Sequence, residues 1–140
     1  MSEDTINQTS EAPVVQPRKP RARSVQAAEE PESGLHNVVP VGSQLTLTAG
    51  SAARVFAAYA PVDAPFNDAE LKQVRDDGFA ESVAEREVGL ASVSTPVFQP
   101  DGALVAVLSI SGPVERLGPS PAAKWGAALK DATARLSAGL

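Results

Sequence analysis

The 140-residue chain contains no cysteine. That excludes a disulfide framework, thiolate metal sites and a cysteine nucleophile, and it suits a cytoplasmic protein. Aromatic residues make up only 4% of the chain, so a core has to be assembled mostly from Ala, Val and Leu. His36 is the sole histidine, and nothing nearby is spaced to complete a Ser-His-Asp set or a metal site. No apolar run reaches the length of a membrane span, and the N-terminus carries no apolar leader. Positive charge is in the minority, with 12 Lys and Arg against 17 Asp and Glu. A net charge of -5 makes a poor general binder of nucleic acid, because phosphate contacts need clustered cations. There is no internal repeat and no glycine-rich phosphate loop.

What is present is a hydrophobic share of 43% in a length that suits one modest domain. The organising stretch is Leu90 to Pro113, LASVSTPVFQPDGALVAVLSISGP. Val93–Phe98 and Ala103–Ile110 read as two β-strands, with Gln99-Pro100-Asp101-Gly102 between them. Pro100 presets φ in the turn, Asp101 can bond its own backbone, and Gly102 supplies a positive φ for a bulge at the exit. The far end of this hairpin carries Ser92, Ser94, Ser109 and Ser111. Residues two apart share a strand face, so Ser92 and Ser94 point one way, as do Ser109 and Ser111. If Phe98 pairs with Ala103, then Ser92 lies opposite Ser109.

The rest of the chain divides around this hairpin. Residues 1–22 are polar and Pro-rich, with too little apolar surface to offset the entropy of ordering, and read as a disordered tail. Arg18, Lys19, Arg21 and Arg23 form a small basic cluster, which admits contact with an acidic partner but reads more plainly as solvated charge. Residues 23–140 read as the domain. Ser24–Glu30 and Leu35–Val41 are strand candidates, and Leu45-Thr46-Leu47-Thr48 alternates before a helix with Ala52, Val55, Phe56 and Tyr59 on one face. Gly50 or Ser51 would cap that helix, whose N-terminal N–H groups could receive an anion or simply be capped. Pro61 ends it. Asn67 with Glu70 forms a capping box for a second helix, with Leu71 and Val74 inward and Gly78 closing it. Ser82 and Glu85 have the spacing of another capping box and suggest one helical turn, and Glu81, Glu85, Arg86 and Glu87 read as a solvated face. Ser111-Gly112-Pro113 breaks the second hairpin strand, and Val114–Gly118 reads as loop. The last helix starts with Ser120 as N-cap and Pro121 at its first position. Its core stripe would be Trp125, Leu129, Ala132 and Leu136, with Trp125 as a core or interface anchor.

Taken in order, several of these stretches resemble the effector-binding domain of the IclR family of bacterial transcription regulators. The pieces that carry the resemblance are Val41-Gly42-Ser43-Gln44-Leu45, Thr48-Ala49-Gly50-Ser51-Ala52 opening a helix, Gly78-Phe79, and Ser82 and Glu85 before Gly89. They continue with Pro96-Val97-Phe98, Asp101-Gly102 and Leu108-Ser109-Ile110-Ser111-Gly112-Pro113 followed by Arg116. The resemblance implies an α+β, GAF-like fold in which an antiparallel sheet is flanked by helices, N-terminally incomplete here. It implies a sensor of a small organic or aromatic acid with no cofactor and no catalytic role. The positions that match the family's pocket are Leu45, Ser51, Ala52, Leu90, Ser92, Ser109 and Ser111, so a small carboxylate would be held by neutral donors and not by an arginine. Ser82 departs from the acidic residue that some relatives place there. Family members carry a winged helix-turn-helix in front of this domain, where this chain has its Pro-rich tail. The implied partners are therefore a small carboxylate and a second copy of the chain across an open sheet edge, with DNA reached only through a DNA-binding domain absent from this chain. The alternative is a ligand-free oligomerisation module, or a remnant of such a regulator.

Overall fold

The structure is a computed structural model, and it describes residues 23–25, 27 and 44–140. The tail, His36, Leu35–Val41 and most of the basic cluster lie outside the described residues. Of the first strand candidate, β1 (Arg23–Val25) is described, and it pairs antiparallel with β2 (Gln44–Thr46). Then come α1 (Ser51–Tyr59), α2 (Asp68–Asp77), β3 (Ala80–Val83), β4 (Leu90–Phe98), β5 (Leu104–Pro113), α3 (Val114–Leu117) and α4 (Pro121–Ala138). β3, β4 and β5 form a three-stranded antiparallel sheet in that order, with helices packed on it, as the α+β expectation has it.

The hairpin forms for the reasons its residues give. Gln99 donates its N–H to the Ala103 carbonyl at 2.8 Å, and Gly102 donates to the Gln99 carbonyl at 2.9 Å. Asp101 accepts the Ala103 N–H at 2.9 Å, and Gly102 adopts a φ of 88°. This is a tight turn with a positive-φ exit. The register beyond it differs from expectation. Phe98 pairs with Leu104, and an irregularity between Val97 and Phe98 sets Val97 opposite Ala106. The two steps together shift the ladder by two residues, so Ser92 lies opposite Ser111, and Ser94 opposite Ser109. A two-residue shift preserves faces, which is why the serines still converge. β5 also runs through Gly112 to Pro113 instead of breaking at Ser111, because β4 extends back to Leu90 and supplies partners for both. Pro96 is tolerated in β4 because β3 ends opposite Ser94, leaving that stretch of β4 with a strand on one side only.

β4 is covered on both faces, which explains its almost unbroken burial from Val93 to Val97. One face meets α1, on which α2 packs in turn, and Val55, Ala58, Val74 and Ala80 form a core there flanked by Tyr59, Leu71 and Val107. The other carries Ala91, Val93 and Val97 and meets α4, with Leu129 and Leu117 also buried. Tyr59 and Phe98 meet edge to face at 5.1 Å.

Several local expectations are corrected. The Ser82–Glu85 stretch does not start a helical turn: Ala80–Val83 alternates in burial and pairs with Ala91–Ser94, so Ser82 is a strand residue opposite Ser92. Val114–Leu117 is a short helix and not loop, because buried Leu117 packs against Gly112, where an added Cβ would come within 2.8 Å of its Cδ1. In α1 the buried positions are Ser51, Ala53, Val55 and Ala58, with Phe56 only partly covered. In α4 they are Pro121, Gly126, Leu129 and Thr133, while Leu136 is half exposed. Leu129 is buried as expected of it, but Gly126 and Thr133 flank it on the buried face in place of Trp125, Ala132 and Leu136. The α2 capping box forms as read: Asn67 Oδ1 accepts the Glu70 N–H at 2.9 Å, and Glu70 accepts the Asn67 N–H at 3.1 Å. Ser120 does not cap α4 with its side chain. Its hydroxyl donates to Glu81 at 3.2 Å, and Glu81 also accepts the Ala122 N–H at 2.9 Å, so a carboxylate from β3 takes the cap's place.

Candidate functional site

The end of the sheet where the serines gather is roofed by the turn from β2 into α1 and by the loop from β3 to β4. Between them is a cavity of about 100 Å³. All seven residues selected from sequence line it: Leu45, Ser51, Ala52, Leu90, Ser92, Ser109 and Ser111. Leu47, Ala49, Gly50, Ala53, Ser82, Arg86 and Glu87 complete the wall.

The floor is a continuous chain of hydroxyls. Ser82 Oγ lies 2.9 Å from Ser92 Oγ, and Ser92 Oγ lies 2.6 Å from Ser51 Oγ. Ser51 then reaches Ser94 at 2.6 Å, and Ser94 reaches Ser109 at 2.6 Å. The chain thus draws together β3, β4, β5 and the first residue of α1. Its proton count has a consequence. Five hydroxyls carry five protons, and four links consume only four. At least one O–H therefore donates outside the chain, and no other acceptor for these hydroxyls occurs among the described residues. Ser51 and Ser94 are buried in the middle, while Ser109 is exposed at one end of the chain and faces the cavity. The arrangement offers a donor to a small polar group without a formal charge. Ser111 sits beside Ser92 but outside the chain of bonds.

The turn into α1 is shaped by Gly50, which has φ 94° and ψ 167°, a region that only glycine occupies at low cost. No side chain caps the helix, and Ser51 spends its hydroxyl on the network instead. The anion at this N-terminus is the protein's own: Glu85 accepts the Gly50 N–H at 3.2 Å and the Arg54 Nη1–H at 2.7 Å. Next to it, Arg86 Nη2 donates to the carbonyls of Thr46 at 3.0 Å and Ala49 at 2.6 Å. Glu85, Arg86 and Glu87 are exposed, as a solvated face would have them, but Glu81, Glu85 and Arg86 also have specific partners across the fold. An arginine also belongs to the cavity wall, where neutral donors alone were anticipated. Sequence reasoning missed these residues because their partners lie 31 to 41 positions away, beyond any local pattern. Ser94 belonged to the serine set but not to the selected site, and only its position between Ser51 and Ser109 gives it a part. Among the described residues no group of acidic or histidine side chains could hold a metal ion, and no helix is long and apolar enough to cross a membrane.

A three-stranded antiparallel sheet with helices packed on it, and a small polar-floored cleft open to solvent at one sheet end, defines a class of α+β domain. Comparison with known proteins narrows this. The family model for the bacterial transcriptional regulator IclR C-terminal matches residues 62–138, more than half of the chain. The chain belongs to the IclR family of bacterial transcriptional regulators, as a C-terminal domain of that family. The HTH-type transcriptional regulator KdgR of Escherichia coli K12 is 38% identical over 68 residues, which is 49% of this chain and 26% of that protein. The HTH-type transcriptional repressor AllR of Salmonella typhimurium is 32% identical over 79 residues, 56% of this chain and 29% of that protein. The chain thus spans little more than a quarter of the curated relatives it matches. Among solved structures, an IclR-family transcriptional regulator from Rhodococcus superposes with a TM-score of 0.72 at 25% identity, over 83% of this chain and 52% of that one. The C-terminal domain of Escherichia coli KdgR superposes with a TM-score of 0.58 at 25% identity, over 70% and 73% of the two chains. These relatives are transcriptional regulators.

Proposed function

We propose that this domain senses a small organic acid in the cavity at the end of its sheet. The observation that carries the reading is the five-serine chain with its surplus proton, set beside a wall of Leu45, Leu47, Leu90 and small residues that also includes Arg86 and Glu87. Such a site offers hydroxyl donors to a carboxylate and apolar contact to a short carbon skeleton. Because Ser51 is both the first residue of α1 and a link in the hydroxyl chain, a ligand on that chain bears directly on the helix. In a whole regulator this would pass to attached DNA-binding domains and shift their hold on DNA.

The test is thermal unfolding of the chain across a panel of short carboxylates. A ligand present at 100 times its Kd adds about 2.7 kcal/mol of stability, a shift of several degrees. Ser109→Ala with Ser111→Ala is expected to abolish the shift. A cooperative melt that no acid displaces overturns the reading. It would favour a ligand-free oligomerisation module, for which β5 is the relevant feature, since no strand pairs with its outer edge among the described residues.

A further inference from the structure

Resting on the organic-acid reading, we propose that Arg86 is the residue that reads the ligand's negative charge, and that it does so while latched to the turn leading into α1. The cavity wall holds two ionisable side chains, Arg86 and Glu87. Arg86 uses one nitrogen, Nη2, to hold the turn, donating to the Thr46 and Ala49 carbonyls at 3.0 and 2.6 Å. A guanidinium carries five N–H groups, two of them on Nη2. The Nε–H and the Nη1 amino group have no acceptor among the described residues. The same guanidinium packs over Gly50, where an added Cβ would lie 3.4 Å from Nε. Arg86 is thus already tied to the turn that precedes α1, with donors to spare on an exposed group that lines the cavity.

The loop that carries it is held in shape by its own backbone. Ala84 donates its N–H to the Leu90 carbonyl at 2.8 Å, and Leu90 donates to the Glu87 carbonyl at 3.2 Å. Ala84 at φ 58° and Gly89 at φ 79° bend the chain at its two ends. A non-glycine residue in this region is strained, and such strain persists only where surrounding contacts impose it. Those contacts are the bonds of Glu85 to Gly50 and Arg54 and of Arg86 to the turn. Holding the guanidinium in place beforehand lowers the side-chain entropy lost when an anion arrives. Glu87, one residue on, has the opposite effect, because its carboxylate opposes a like charge in the same space.

The experiment is calorimetric titration of the 140-residue chain with propionate and lactate, each against its neutral amide. The unaltered chain is expected to bind the acids about tenfold more tightly than the amides, the scale of one hydrogen bond to a charged group. Arg86→Gln should erase that preference while amide affinity stays within about twofold, and Arg86→Lys should keep part of it. Glu87→Gln leaves the latch intact and should strengthen acid binding about threefold, so the idea stays testable if Arg86→Gln unfolds. Acid preference that survives Arg86→Gln, or acid affinity unmoved by Glu87→Gln, overturns the assignment while leaving the sensor reading in place. Failure of the unaltered chain to bind either acid or either amide overturns both.

Discussion

Ser94→Ala is the substitution that tests the hydroxyl chain most directly. Ser94 is fully buried and sits between Ser51 and Ser109, with 2.6 Å to each oxygen. Alanine fits the strand and removes one oxygen, so no clash or cavity of consequence follows. Two bonds are lost, each with a net value of about 1 kcal/mol. Ser51, also buried, keeps one link through Ser92, whereas Ser109 can turn to solvent. The expected loss is therefore about 1–2 kcal/mol, read as a lower urea midpoint at unchanged slope. Ser111→Ala is the internal control. It deletes the same atom from the neighbouring strand where that atom belongs to no link, and should change stability by less than about 0.5 kcal/mol. A double-mutant cycle between Ser94→Ala and Ser109→Ala should return a coupling of about 0.5–1 kcal/mol, since the pair shares a bond. Ser94→Ala no costlier than Ser111→Ala, together with additive doubles, would refute the network as a structural unit.

Thr95, the next residue, should behave in the opposite sense. Its hydroxyl is buried without a hydrogen-bond partner among the described residues, so Thr95→Val is expected to raise stability by about 1 kcal/mol, and a lower urea midpoint would contradict this. Gly50→Ala should cost about 1–3 kcal/mol through its backbone conformation, the new methyl making only ordinary contact with Arg86; an unchanged melt would show that the turn can relax. Burial raises the Tyr59 pKa above its ordinary value of 10.0, with Arg75 pulling the other way. The unfolded chain then ionises first, so the contribution of Tyr59 is complete below about pH 10 and is lost as pH rises through the folded value. Tyr59→Phe should flatten that alkaline loss, and identical pH profiles for the two proteins would refute it.

In three places neighbours in the chain supply one another's partners, and there the sequence by itself determined the outcome. The Gln99–Gly102 turn, the Asn67–Glu70 capping box and the close of α2 at Gly78 each depend on groups within a few residues, and their chemistry is legible in the string of letters. The period-two spacing of Ser92 with Ser94, and of Ser109 with Ser111, put hydroxyls on common faces, and a register error of two left those faces unchanged. Tertiary structure decided the rest. Which serine faces which depends on the irregularity at Val97 and Phe98, which no local preference announces. Ser82 satisfies the spacing of a helix cap, yet pairing with β4 and burial in the hydroxyl chain prevailed over that weak preference. The buried stripe on α4 keeps Leu129 but takes in Gly126 and Thr133, while Leu136 stays half exposed. Glu81, Glu85 and Arg86 look alike in sequence as charges on a polar stretch. Only the fold brings one to the start of α4, one to Gly50 and Arg54, and one to two carbonyls above the cavity, because a charged side chain acquires a particular role only from groups that distant parts of the chain deliver.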